Sequence, residues 1–143
     1  MYDFNLACVI DDDSIARLMS EIMIFNYKIS KKTITFENGK AALDYFKLFK
    51  DKPDMLPEFI LLDIDMPVLN GWRFIERFAR LAPDLSRKVV IYLVSASLDP
   101  HDHHRASALE LVSGFIIKPV NKTALEQVVK AAMTDKNITY FGK

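Results

Sequence analysis

The residues of this chain that could do chemistry fall at four places. Asp11, Asp12 and Asp13 are consecutive, Asp63 and Asp65 are two apart, Ser95 and Ser97 follow an apolar run, and Lys118 precedes Pro119. Taken singly, each has a plain explanation. An aspartate after a strand commonly caps the next helix, and Asp12 or Asp13 could do only that. Asp63 suits a turn, Ser95 a strand end, and Lys118 a solvated surface. Gathered in one place they mean something else. Clustered carboxylates repel and resist ionisation unless a cation joins them, and a divalent metal with a lysine supplies that relief. Oxygen donors with no Cys or His nearby suit Mg²⁺ rather than zinc. A carboxylate, Mg²⁺, a lysine and a hydroxyl form a set for phosphoryl transfer, in which a carboxylate can be the nucleophile and carry an aspartyl phosphate.

Gathering depends on the elements that carry these residues. Short apolar runs at 6–10, 33–36, 59–62, 89–94 and 115–117 suit buried strands. Between them lie helical stripes: Ile15, Leu18, Met19, Ile22 and Met23; Ala42, Leu43, Phe46 and Phe49; Trp72, Ile75, Phe78 and Leu81; and Leu125, Val128, Val129, Ala132 and Met133. Asp99-Pro100 reads as a cap followed by proline in the first turn of a further helix. Five β–α units predict a parallel sheet covered by helices on both faces. Such sheets bind ligands beyond the carboxyl ends of their strands. All four places follow strands, whereas the residues leading into strands, such as Phe4-Asn5 and Glu58, form no converging set. The tail from 136 to 143 is too short for another element of consequence.

The chain has 143 residues, which suits one domain over 1–143 with a core at about 5–135. Half the residues are hydrophobic and 27% are charged, which excludes a disordered chain. The net charge is zero, without the basic excess of a nucleic-acid or anionic-membrane binder. The lone Cys8 reads as a core residue in a reducing compartment. The N-terminus lacks signal-peptide features and no apolar run reaches membrane-span length, so a cytoplasmic location is expected. Trp72 and the methionines read as packing residues. His101, His103 and His104 do not share one helix face, so they read as a solvated helix start.

The four segments resemble the receiver domain of two-component response regulators. "ACVIDDDSIAR" resembles that family's acidic pocket, with Arg17 at the expected offset. "FILLDIDMPVLNGW" resembles its phosphoacceptor segment, with Pro67 four and Gly71 eight residues after Asp63. "IYLVSAS" carries its hydroxyl position and "SGFIIKPV" its lysine and proline. The resemblance implies a flavodoxin-like, doubly wound five-stranded sheet in the order 2-1-3-4-5, with five helices in three α/β/α layers. It implies that Asp63 is the phosphoacceptor, that Asp12 and Asp63 ligate Mg²⁺ with the backbone carbonyl of Asp65, and that Asp11 acts mainly through water. Lys118 would pair with the phosphoryl group. Ser95 would hydrogen-bond to it and, with Phe115, form the switch. Gly71 would be structural and the Lys118–Pro119 bond cis.

Two departures stand out. Phe115 replaces the commoner tyrosine and has no ring hydroxyl, and Asp65 adds a third acidic side chain. The proline-led fourth helix resembles stand-alone receivers associated with phytochrome-like and other sensor kinases. The implied partners are a sensor histidine kinase or a histidine phosphotransfer protein, an unknown downstream protein, and a second copy through the face made by helix 4, strand 5 and helix 5. Neither nucleic acid nor membrane is expected as a partner. The only catalysis implied is the chain's own phosphotransfer and dephosphorylation. Three other readings compete. A haloacid-dehalogenase-like phosphatase would use Asp63 as nucleophile and Asp65 as acid, but it places its nucleophile after the first strand. A flavodoxin would not put three aspartates in its phosphate loop. A phosphorylation-independent docking module would not need the full set of groups.

Overall fold

The computed structural model describes residues 1–134 and 139–141, and side chains through residue 132. The elements run β1 (Phe4–Ile10), α1 (Ser14–Asn26), β2 (Ser30–Phe36), α2 (Gly39–Leu48), β3 (Phe59–Asp63), α3 (Gly71–Leu81), β4 (Val90–Ser95), α4 (Pro100–Ser107), β5 (Val112–Ile117), α5 (Lys122–Thr134) and β6 (Thr139–Phe141). The sheet is parallel throughout, in the order β2-β1-β3-β4-β5-β6. The first five strands give the flavodoxin-like arrangement expected. The short β6 adds a strand of three residues beside β5, in a tail expected to be too short for another element of consequence. The side chain of Met133, assigned to the last helical stripe, lies outside the described residues.

Period-two alternation divides the core into two layers. Ala7, Val9, Leu61, Tyr92, Val94 and Ile116 face one way, with Ile24, Leu125 and Val128 of α1 and α5. Cys8, Ile10, Leu62, Leu93 and Phe115 face the other, with Phe46, Phe74, Phe78 and Ala106 of α2, α3 and α4. Side-chain oxygens cap the helices. Asp13 accepts from Ile15 and Ala16, Asn38 from Ala41, Asn70 from Arg73, Asp99 from His101 and Asn121 from Ala124. Arg105 of α4 lies over the Trp72 ring, 4.3 Å from its centroid, tying α4 to α3.

Helix α1 corrects a reading from periodicity. Its stripe of Ile15, Leu18, Met19 and Ile22 faces solvent, not the sheet, at 47% to 68% exposure. The sheet contact is made by Ser20 and Ile24, with Ala16 and Met23 half-buried beside them. The helix therefore has two apolar faces, and the smaller one packs inward. Among the described residues, no helix is long and apolar enough to cross a membrane.

Candidate functional site at the carboxyl edge of the sheet

The strand register brings the four chemical segments to one edge. Ile10 pairs with Leu62, Asp63 with Val94, and Ser95 with Ile117, so β1, β3, β4 and β5 end together. Asp63 is the last residue of β3 and is buried. Asp11 follows β1 and is also buried. Oxygens of Asp11, Asp12 and Asp63 lie within 4.8 Å of one another. Asp12 is exposed.

Local backbone bonds fix these carboxylates. The N–H of Asp13 donates to Asp11 Oδ1 at 2.9 Å, and Arg17 Nη1 donates to the Asp11 carbonyl at 2.7 Å. The N–H of Asp65 donates to Asp63 Oδ1 at 3.1 Å. Asp13 is the cap of α1, so the capping role applies to Asp13 and not to Asp12. The Lys118 N–H donates to the Ser95 carbonyl at 2.8 Å, which sets the lysine beside the end of β4. Its Nζ lies 3.4 Å from Asp63 Oδ1 and 3.5 Å from Asp11 Oδ2. The Lys118–Pro119 bond is cis. One ammonium is thus shared by two buried carboxylates, and a third carboxylate stands nearby.

That imbalance shows in the titration of the groups. Burial, followed by the Asp11 charge, pushes Asp63 up to about 6, and the opposing pull of Lys118 does not compensate. Burial alone would lower the Lys118 pKa, but Asp63 and Asp11 outweigh it, so the value lies above that of an ordinary lysine. The cluster is short of positive charge and offers only oxygen donors. Asp11, Asp12 and Asp63 fit a hard divalent cation such as Mg²⁺.

Gly71, at the start of α3, explains how Asp63 is held. Its N–H donates to the Ile64 carbonyl at 2.9 Å. A Cβ there would lie 2.8 Å from Ile64 Cα and 3.0 Å from the Asp63 carbonyl oxygen. Only glycine lets α3 approach the end of β3 this closely.

Ser95 is buried, and its hydroxyl lies 3.4 Å from Asp65 Oδ2. Phe115 is fully buried on the α4 side of the sheet. Next to it lies a residue that spacing along the helix misplaced. His101 and His104 are exposed, as a solvated helix start requires. His103 is not solvated in that way. Its ring stacks on Phe115, with centroids 4.1 Å apart and planes 22° from parallel. Helical spacing compares a residue with its own helix, whereas this contact joins α4 to β5.

Comparison with known proteins agrees with this geometry. The model of the response regulator receiver domain matches residues 7–130. A two-component response regulator from Cytophaga hutchinsonii has a similar structure, with a TM-score of 0.82 and 26% identity over 92% of this chain and 98% of that one. A response regulator receiver protein from Dyadobacter fermentans shares the fold, with a TM-score of 0.76 and 22% identity over 90% of this chain and 97% of that one. In sequence, a protein-glutamate methylesterase/protein-glutamine glutaminase from Desulfotalea psychrophila is 35% identical over 65% of this chain and 26% of its own length. A probable methanogenesis regulatory protein from Methanothrix harundinacea is 29% identical over 65% of this chain and 58% of its own. The chain thus spans from about a quarter to under three-fifths of these curated relatives. The match of residues 7–130, with the acidic cluster and its lysine at the sheet edge, shows that the chain belongs to the response regulator receiver domain family.

Proposed function

We propose that this chain takes a phosphoryl group onto Asp63 from a phosphohistidine of a sensor histidine kinase or histidine phosphotransfer protein. The carrying observation is the buried Asp63 carboxylate, 3.4 Å from Lys118 Nζ and clustered with Asp11 and Asp12. An Asp63 oxygen attacks phosphorus in line, the P–N bond breaks, and the imidazole nitrogen leaves with the electron pair. With its pKa at about 6, Asp63 is mostly ionised at pH 7 and available as a nucleophile. Lys118 stays charged and balances the phosphoryl oxygens. Bound at Asp11, Asp12, Asp63 and the Asp65 carbonyl, Mg²⁺ would supply the remaining positive charge. Ser95 then exchanges Asp65 for a phosphoryl oxygen, and the β4–α4 loop moves inward.

The outward stripe of α1 is the docking face for the phosphodonor. Ile15 and Met19 line a cavity of about 220 Å³ together with Asp11, Asp63 and Lys118, so the apolar face is continuous with the reacting atoms. A contiguous apolar patch of this kind marks an interaction surface. Leu18→Asp is expected to slow transfer from a cognate phosphohistidine protein about tenfold or more, since burying such a side chain is worth about 1.5–3 kcal/mol. The same variant should change labelling by a small phosphodonor far less. Equal losses with both donors would remove α1 from the docking face.

The chain works in the cytoplasm as a receiver. It passes its signal to a downstream protein or serves as a phosphate sink, and its α4–β5–α5 face is available to a second copy. Its catalysis is limited to its own phosphotransfer and dephosphorylation. The methylesterase relatives match over only about a quarter of one of them, which supports reading the shared part as the receiver. To test the central proposal, the protein is incubated with Mg²⁺ and acetyl phosphate and its intact mass is measured. A single phosphoryl adduct, labile to hydroxylamine and absent from Asp63→Asn, is expected. No adduct on wild type, or an undiminished one on the variant, contradicts the proposal.

A further inference from the structure

We propose that His103 is a positioning residue that carries the state of Ser95 to helix α4. This rests on the phosphoacceptor reading of Asp63 and adds to it a residue outside the acidic cluster. Phe115 offers only carbon atoms to the β4–α4 loop above it. His103 covers that ring by stacking, and its Nε2 lies 3.3 Å from the Ser97 carbonyl oxygen. A carbonyl only accepts, so this contact puts the proton on Nε2. One imidazole thus holds both the switch aromatic and the loop.

Ser97 is the link back to the site. Its N–H donates to Ser95 Oγ at 3.0 Å, and Ser95 Oγ in turn lies 3.4 Å from Asp65 Oδ2. Its own hydroxyl donates to Asp102 Oδ2 at 2.6 Å and accepts from the Asp99 N–H at 3.1 Å. The side chain of Ser97 is therefore tied to the first turn of α4, its N–H to Ser95, and its carbonyl to His103. If Ser95 turns from Asp65 toward a phosphoryl oxygen, the acceptor of the Ser97 N–H moves with it. The Ser97 peptide must follow or lose that bond. Its carbonyl then carries the His103 ring relative to Phe115, and α4 with it. A purely packing role for position 103 would need the stacked ring and nothing more. The proposal requires the ring nitrogen as well.

The test separates these roles. Wild type, His103→Phe and His103→Gln are each treated with Mg²⁺ and beryllium fluoride, a mimic of the acyl phosphate. Amide exchange is followed at 96–99 and across α4, and adduct formation with acetyl phosphate is checked by intact mass. In wild type, exchange is expected to change in both the loop and α4. His103→Phe keeps a stacked ring without the nitrogen, so its loop should still respond while the α4 response falls about fivefold or more, the range of ordinary coupling energies. His103→Gln restores a side-chain N–H donor without the ring and should recover part of the α4 response. An α4 response in His103→Phe equal to that of wild type overturns the proposal, as does a wild type whose loop responds while α4 does not. Should His103→Phe fail to fold, His103→Gln and His103→Ala give the same contrast, and equal α4 responses in those two also overturn it. Wild type that forms no adduct overturns the phosphoacceptor reading itself, and the mass measurement distinguishes that failure from the others.

Discussion

Two loops border the acidic site at the sheet edge, and they are built in opposite ways. The β3–α3 loop, residues 64–70, is nailed to the core. Ile64, Met66 and Leu69 are buried, Gly71 donates back to Ile64, and α3 presses against the backbone of Asp63. The β4–α4 loop, residues 96–99, has no such anchors. Ala96 and Leu98 are exposed, and the loop is held by the hydroxyls of Ser95 and Ser97, by Asp102 and by His103. Apolar burial holds a segment in one place, whereas side-chain hydrogen bonds can be exchanged for others at little net cost. The loop that follows Asp63, the proposed nucleophile, is thus fixed, and the loop that follows Ser95 is held by bonds that can be exchanged.

The largest effect should come from breaking the fixed loop. Gly71→Ala forces a Cβ against backbone atoms of Asp63 and Ile64, and overpacking of this kind costs about 1–3 kcal/mol. Leu98→Ala in the other loop removes an exposed side chain and should cost less than about 0.5 kcal/mol. Denaturant unfolding checks both, and equal costs would erase the contrast.

An effect of comparable size concerns the charge at the root of the fixed loop. Asp63 has a pKa of about 6 in the folded chain, against about 3.9 when unfolded. Between these values the folded state binds more protons than the unfolded one. The contribution of this group to stability is therefore full below pH 4, declines as pH rises through 6, and is flat above. In chelator, Asp63→Asn should gain on wild type across this window and keep a constant advantage at higher pH. Adding Mg²⁺ should stabilise wild type above pH 6 by mass action and narrow the gap. Thermal unfolding at several pH values reads both, and a gap that closes with rising pH would contradict the assignment.

The smallest effect sharpens the contrast from within the fixed loop. Val68 sits at φ 68°, a left-handed conformation that penalises a β-branched residue, and its side chain is fully exposed. Val68→Asn should stabilise the protein by about 1 kcal/mol, because asparagine tolerates this conformation. No change in unfolding midpoint would mean that the backbone there is not strained.

Much of this was readable from residue types. Asp63 and Lys118 announced themselves because each ends an apolar run, and in a parallel sheet covered on both faces such ends must share an edge. The start of β2 was hidden for the opposite reason. Lys31 and Lys32 are exposed and charged because β2 lies at the sheet edge, where charge guards against further pairing, and Ser30 is buried with its hydroxyl donating to the Lys32 carbonyl. The α1 stripe was legible as amphipathic, but periodicity does not say what covers a face, and polar Ser20 masked the side that meets the sheet. His103 was illegible because its partner Phe115 lies on another element. The three residues of β6 are too few to show a period.

The most direct test of the account is to locate the phosphoryl group chemically. After treatment with acetyl phosphate and Mg²⁺, borohydride reduces an acyl phosphate to the alcohol, so a phosphorylated aspartate becomes homoserine. Homoserine is expected at position 63 alone, formed only when the phosphodonor is present. Homoserine at Asp11, Asp12 or Asp65, or none anywhere despite a phosphoryl adduct, would contradict it.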